Sequence, residues 1–181
     1  MRAILKEVLL FAIIAIGVVL PFRLYIAEPY IVDGASMDPT FKTGDYLIVD
    51  KLSYEIGSPQ RDSVIVFKFP LQPSRNLIKR VIGLPGDTLT MKNGVVTITN
   101  KDNPNGFVLD QSYVVHTMPE SFTVTLGPDE YFVMGDNRPE SYDSRGWGVL
   151  PKKDILGRPV LRLLPLSKIG RLPGDDTKPK Q

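Results

Sequence analysis

The chain has 181 residues and nearly balanced charge, 22 Lys and Arg against 20 Asp and Glu, which argues against nucleic acid as a partner, because that needs a basic surplus. It has no cysteine and a single histidine, His116, so disulfides, thiolate nucleophiles, Cys-linked lipid and His- or Cys-rich metal sites are excluded. The length allows one membrane anchor and one domain with a real core, and 16 Pro and 15 Gly spread along the chain suit many short strands joined by turns.

From Val8 to Phe22 the sequence carries no charge. Extended from Ile4 to Ile26, a helix would span roughly 34 Å, enough for a hydrocarbon core of about 30 Å. Lys6 and Arg23 would snorkel at its ends, and Pro21 would kink or terminate it. A cleavable leader and a buried core helix are the other readings. Cleavage is disfavoured because the best site, Tyr25-Ile26-Ala27, puts a bulky Tyr where a small residue is needed. Arg2, Lys6 and the terminal amine before the run, against Arg23 after it, favour a cytoplasmic N-terminus and an outer domain.

The pattern then becomes strand-like. Tyr46–Val49 and Ser63–Phe69 are short, β-branched and bounded by turns. Leu77-Ile78-Lys79-Arg80-Val81-Ile82-Gly83 is another apolar run, interrupted by two cations. Thr88–Lys92, Asn93-Gly94 and Val95–Thr99 read as a hairpin, since Asn-Gly accepts the positive φ of a tight turn. Lys101–Gly106 reads as a polar loop. Ser121–Leu126 and Tyr131–Met134 are two further strands. Leu156–Leu166, broken by two Arg and two Pro, reads as a final strand and turn, and Gly174–Gln181 as a frayed tail.

Three stretches carry chemistry. The first is Gly34-Ala35-Ser36-Met37-Asp38-Pro39-Thr40, which is either a plain turn or a nucleophile motif. Small residues before a serine let a substrate backbone approach and leave main-chain N–H groups for an oxyanion. The hydroxyl needs a base. His116, in Val114-Val115-His116-Thr117, reads as an ordinary strand or loop residue. Lys79 is the alternative, provided it is neutral, and burial among apolar groups penalises its ammonium form. On a strand, Leu77 and Val81 would flank Lys79 on one face while Ile78, Arg80 and Ile82 point to the other. The reverse assignment leaves Lys79 solvated and Arg80 inside. The third stretch is Gly135–Arg145. Asp143 and Arg145 can pair there, Ser141 or Ser144 can orient an amine, and Asp136, Glu140 and Asp143 raise a cation site that Arg138 and Arg145 oppose.

In this order, the serine motif, Gly44-Asp45-Tyr46-Leu47-Ile48-Val49, the lysine run through Gly83-Leu84-Pro85-Gly86-Asp87, and Gly135–Gly148 resemble bacterial type I signal peptidase. That membrane enzyme removes signal peptides from exported proteins. The resemblance runs from the anchor to about Gly170. It implies a mainly β domain of antiparallel coiled sheets behind a transmembrane helix, with divisions at 1–26 (anchor), 27–172 (catalytic) and 173–181 (tail). It implies Ser36 as nucleophile and Lys79 as general base. Ser141 matches the residue that orients the amine, and Asp143 and Arg145 match a structural ion pair, with Asp136 in support. Tyr30, Val32, Met37 and Ile78 match residues of the shallow pockets that select small side chains at the first and third positions before the cut.

No cofactor or metal is implied. The expected partners are signal peptides of preproteins and the lipid bilayer, and the expected state is a monomer in the cell membrane. From Ile26 to Ser36 the chain reaches at most roughly 35 Å, which holds the nucleophile near the membrane face. The chain departs from common members at Gly34, which removes a hydroxyl that some use in the oxyanion hole, and at Ala35. It also lacks a large inserted β-domain and has one anchor rather than two. The rival readings are an inactive membrane-anchored binding protein and a Ser/Lys self-cleaving repressor.

Overall fold

Alternating apolar and polar side chains, cut by Gly and Pro, dictate strands with one face inward. A computed structural model describes residues 2–14, 16, 17 and 26–175. The expected anchor falls on these only in part. A helix, α1, covers Arg2–Ile14, while 18–25, with Pro21 and Arg23, lies outside the described residues. Among the described residues no helix is long and apolar enough to cross a membrane. The α1 side chains Val8, Leu9, Leu10 and Phe11 are exposed.

The chain continues through β1 (Ala27–Ile31), β2 (Tyr46–Asp50), α2 (Leu52–Ile56), β3 (Val64–Phe69), β4 (Gln72–Gly83), β5 (Thr88–Lys92), β6 (Val95–Thr99), β7 (Phe107–Val108) and β8 (Phe122–Thr125). It ends with β9 (Glu130–Met134), α3 (Ser144–Trp147), β10 (Leu150–Pro151), β11 (Ile155–Leu164) and β12 (Gly170–Arg171). Every strand expected from the sequence is present. β1 escaped because Glu28 and Pro29 break its alternation. Pro is tolerated there because β1 lies at a sheet edge. β7 and β12 are two residues each, too short for a period to register.

One sheet has the order β1-β2-β11-β3-β4-β9-β10, with β12 added on β11. The other has the order β7-β6-β5-β8, and every pairing in both is antiparallel. The β5–β6 hairpin closes Lys92 against Val95 around Asn93-Gly94, whose φ values are +50° and +83°. Three apolar clusters follow from this layout. Ile65, Phe67, Val81 and Val133 pack with Tyr131 and Leu150 on one face of the larger sheet. Val32, Met37, Phe41, Leu47 and Val64 fill a second cluster. Ile82, Phe132 and Met134 join Leu89, Met91, Val96 and Ile98 between the two sheets.

The tail expected to fray at Gly174 is packed at its start, since Pro173 and Gly174 are buried. Residues 176–181 lie outside the described residues.

Candidate active site

Ser36 sits on a loop whose base is closed by two main-chain bonds, Val32 N–H to Asp45 O (2.9 Å) and Gly44 N–H to Val32 O (2.9 Å). Within it Phe41 N–H donates to Met37 O (2.8 Å), forming one helical turn. That turn puts Met37 and Phe41 on the inner side, both fully buried, and leaves the neighbouring Ser36 half-buried at the rim. Gly34 takes φ +103°, a conformation that favours glycine, and its N–H donates to Thr43 Oγ1 (3.0 Å).

Lys79 comes from β4. Leu77 and Val81 pack in the cluster of Ile65 and Phe67, while Ile78 touches the Met37 cluster and Ile82 the inter-sheet cluster. The expected alternation therefore holds. The choice between a buried Lys79 and a buried Arg80 does not, because Lys79 is 3% and Arg80 0% exposed. Lys79 Nζ lies 2.6 Å from Ser36 Oγ and donates to Ile78 O at 3.0 Å. Burial pushes the amine down to about 8. The cations Arg75 and Arg145 push the same way, and Asp143 and Asp136 oppose without prevailing. At this distance an amine, once neutral, is within reach of the Ser36 hydroxyl proton.

The register of β9 delivers the third element. Met134 pairs with Arg80, so the residues after β9 emerge beside the dyad. Gly135 is required there, because an added Cβ would overlap both Ser36 O and Ser141 Oγ. Asn137 then clamps the serine loop, its N–H donating to Ser36 O (3.0 Å) and its side-chain amide to Ala35 O (3.1 Å). Among the described residues the Ser36 N–H has no acceptor, which leaves it for an oxyanion.

Asp143 and Arg145 form a two-pronged pair, Nε to Oδ1 at 2.8 Å and Nη2 to Oδ2 at 2.9 Å. Oδ2 also accepts Gly135 N–H (3.0 Å) and the Ser141 hydroxyl (2.6 Å). The Ser141 hydroxyl thus donates its hydrogen bond to Asp143, while the partners of the Lys79 amine are Ser36 Oγ and Ile78 O. Arg145 further donates to Glu120 (3.0 Å) and to Arg138 O (2.7 Å). Asp136 is fully buried and accepts Arg80 Nε (2.8 Å), Arg80 Nη2 (2.6 Å) and Thr40 Oγ1 (2.6 Å). Of the acids weighed for a cation, Asp136 and Asp143 are thus engaged by arginines and Glu140 is exposed, and no group of carboxylates or His able to hold a metal occurs among the described residues. His116 is exposed on the β7–β8 connection.

A cleft of about 380 Å³ opens at the dyad, between Tyr30, Ile31 and Val32 on one wall and Asn76, Leu77 and Ile78 on the other. Asn76 Nδ2 reaches Tyr30 Oη across it at 3.4 Å. Three of the four expected pocket residues, Tyr30, Val32 and Ile78, line it. Met37 does not. It is core, because the turn after Ser36 rotates it beneath the loop. Sequence reasoning gave no role to Thr40 or Arg80. An Arg inside an apolar strand demands a buried acid, and that signal pointed to Asp136.

A buried amine against a serine hydroxyl on an antiparallel β scaffold defines the class to be sought among serine hydrolases that work without histidine. Residues 5–164 match the family model described as signal peptidase, peptidase S26, and the chain belongs to that family. A probable signal peptidase I-2 of Synechocystis sp. is 35% identical over 176 residues, spanning 94% of this chain and 76% of the relative. The signal peptidase I of Leptolyngbya laminosa is 37% identical over 177 residues, spanning 93% and 82%. A signal peptidase I P of Bacillus subtilis subsp. natto is 37% identical over 163 residues, spanning 87% and 88%. The crystal structure of a signal peptidase I from Enterococcus faecalis V583 aligns at a TM-score of 0.49 and 30% identity, over 57% of this chain and 97% of that one. The chain is a hydrolase, a serine endopeptidase of the signal peptidase I type.

Proposed function

We propose that this chain removes signal peptides from exported preproteins, cutting after small residues through a Ser36/Lys79 dyad. The observation that carries the reading is the 2.6 Å contact between the Ser36 hydroxyl and a lysine amine held at about 8. Lys79, neutral, takes the proton as Ser36 Oγ attacks the scissile carbonyl. The Ser36 N–H receives the oxyanion, with no hydroxyl from Gly34 to help. Lys79 returns the proton to the leaving amine, and then deprotonates the water that hydrolyses the acyl-enzyme. Asp136, Ser141, Asp143 and Arg145 position this pair and keep its surroundings dry. No cofactor takes part.

The cleft supports an extended substrate. β1 ends the sheet order, and β4 pairs with β9 only from Arg80 onward. Each wall therefore offers an unpaired strand edge that a peptide backbone can join. Tyr30, Val32 and Ile78 would shape the subsites for small side chains. Residues 1–26 form a single transmembrane anchor in this reading, supported by the uncharged run Val8–Phe22 and the exposed apolar side chains of α1. The N-terminus is cytoplasmic, and residues 27–172 act as a monomer at the outer face of the cell membrane.

The test is cleavage, in detergent, of a precursor whose signal ends in Ala-x-Ala. Ser36→Ala and Lys79→Ala should each abolish it with the fold intact. Undiminished cleavage by Lys79→Ala would sink the dyad.

A further inference from the structure

Behind the dyad, the last described residues enter the interior rather than leaving it. Leu172 N–H donates to Val160 O (2.9 Å), and Asp175 N–H closes a turn onto Leu172 O (3.0 Å). Between them Pro173 and Gly174 are buried. Gly174 O accepts Arg80 Nη1 at 3.1 Å, beside the Asp62 O bond to the same nitrogen at 2.7 Å. A Cβ at Gly174 would lie 2.9 Å from Val64 Cγ2 and 3.2 Å from Phe41 Cε2, and its φ is +94°.

We propose that residues 172–175 are a strap that positions the dyad through Arg80, an inference resting on the Ser36/Lys79 reading above. The strap touches both elements that carry the reacting groups. Through Arg80 it holds β4 next to Lys79, and through Phe41 it holds the loop of Ser36. Arg80 closes the circuit, because its other two nitrogens bind Asp136, which accepts Thr40 Oγ1 from the serine loop. One guanidinium thus spans the strap, β4, the residues after β9 and the nucleophile loop. Arg80 also lies over the Tyr113 ring at 4.1 Å, which fixes its plane.

The consequence is chemical as well as structural. Gly174 packs on Val64 and Phe41, two members of the cluster that includes Met37, the residue after Ser36. Displacing the strap admits water beneath the serine loop. It also frees Arg80 to turn, which lets Thr40 and the loop drift from Lys79. A hydrated Lys79 keeps its proton to higher pH, because burial is what lowers its pKa.

The strap is tested in the full chain with Gly174→Val and the milder Gly174→Ala, measured in detergent on an Ala-x-Ala precursor. Both should lower kcat, by about 10- to 100-fold for Gly174→Val, with KM nearly unchanged and the acid limb of the pH profile moved upward. In an Arg80→Lys background Gly174→Val should add clearly less than it does in the parent, because one of the strap's two routes is already lost. If Gly174→Val does not fold, Gly174→Ala decides. The proposal is overturned by an unchanged kcat, by a loss matched by the fraction of active sites with the acid limb in place, or by additive effects with Arg80→Lys. Lys79→Ala measured alongside separates the two levels: if it still cleaves, the dyad itself is wrong, whatever the strap does.

Discussion

The four-stranded sheet and the sheet that carries the dyad use the same pairing rules to opposite ends. In the smaller one, β5, β6 and β8 turn Leu89, Met91, Val96, Ile98, Phe122 and Val124 toward the core. Their outer positions are threonines, with Lys92 and Val95 at the hairpin end. Thr88 faces Thr125 at 3.0 Å and Thr90 faces Thr123 at 3.3 Å, the ordinary cross-strand contacts of a half-solvated sheet. The larger sheet and its loops bury Lys79, Arg80, Asp136, Arg138, Asp143 and Arg162. Arg138 Nη1 is buried with no partner among the described residues. Burial penalises the Lys79 ammonium, Asp143 and Asp136 offset that penalty only in part, and the surrounding ion pairs keep the interior in one arrangement. The contrast separates a half-solvated sheet from one that keeps an amine and its ion pairs dry.

The contrast breaks most sharply at the dyad. Ser36→Ala or Lys79→Ala should reduce cleavage by about 10³-fold or more, while circular dichroism and the unfolding midpoint show the fold retained. Asp143→Ala should come next. It strips a buried guanidinium and three other donors of their acceptor, and loss of about 3–5 kcal/mol is expected in denaturant titration, along with activity.

The amine has a signature of its own in stability. Its ordinary value is 10.5 and its folded value about 8. Between these limits the unfolded chain holds a proton that the folded chain does not. Stability should therefore rise as pH increases from 8 to 10.5, and below 8 the full penalty of burying the ammonium applies. Lys79→Met removes the group and its slope, so its stability relative to the parent should be greater at pH 7 than above 10.5 by roughly 3 kcal/mol. Cleavage by the parent should show an acid limb near 8. A limb near 10 would mean a solvated lysine.

In the smaller sheet the same kinds of change should stay local. Gly94→Ala places a Cβ 2.9 Å from Met118 O at φ +83° and should cost about 1 kcal/mol or more, with kcat unchanged. Thr90→Ala, on the outer face, should shift stability by no more than about 0.5 kcal/mol and leave cleavage unaffected. An activity loss from either would show that the two sheets are coupled more tightly than their separate cores imply.

Much of the scaffold was readable because it obeys short-range rules. The β5–β6 hairpin follows from Asn93-Gly94 and strict alternation, and β2, β3, β8 and β9 from β-branched runs between turns. β1 was hidden by Glu28 and Pro29, which only its place at a sheet edge permits. The serine motif, the lysine run and the Gly135–Arg145 loop stood out because their residue types are wrong for a plain core or a plain loop. Met37 was misplaced as a cleft residue because spacing in the sequence does not give the sense of a turn. The main-chain N–H of Phe41 closing onto Met37 decides that sense. The strap at Gly174 was read as tail because a glycine next to a polar terminus looks like one. Nothing local reveals that its carbonyl meets Arg80.

By itself the amino-acid order determined a β-rich peptidase of the signal peptidase family and singled out Ser36 and Lys79 as the pair proposed to react, since those residues carry their signal in type, spacing and order. Only the tertiary structure decided that Lys79 and Arg80 are both buried. An isolated strand has two faces and predicts one of them solvated. Here the serine loop covers one face, and on the other the Asp136 carboxylate and the Gly174 carbonyl meet Arg80, from positions 56 and 94 residues away along the chain.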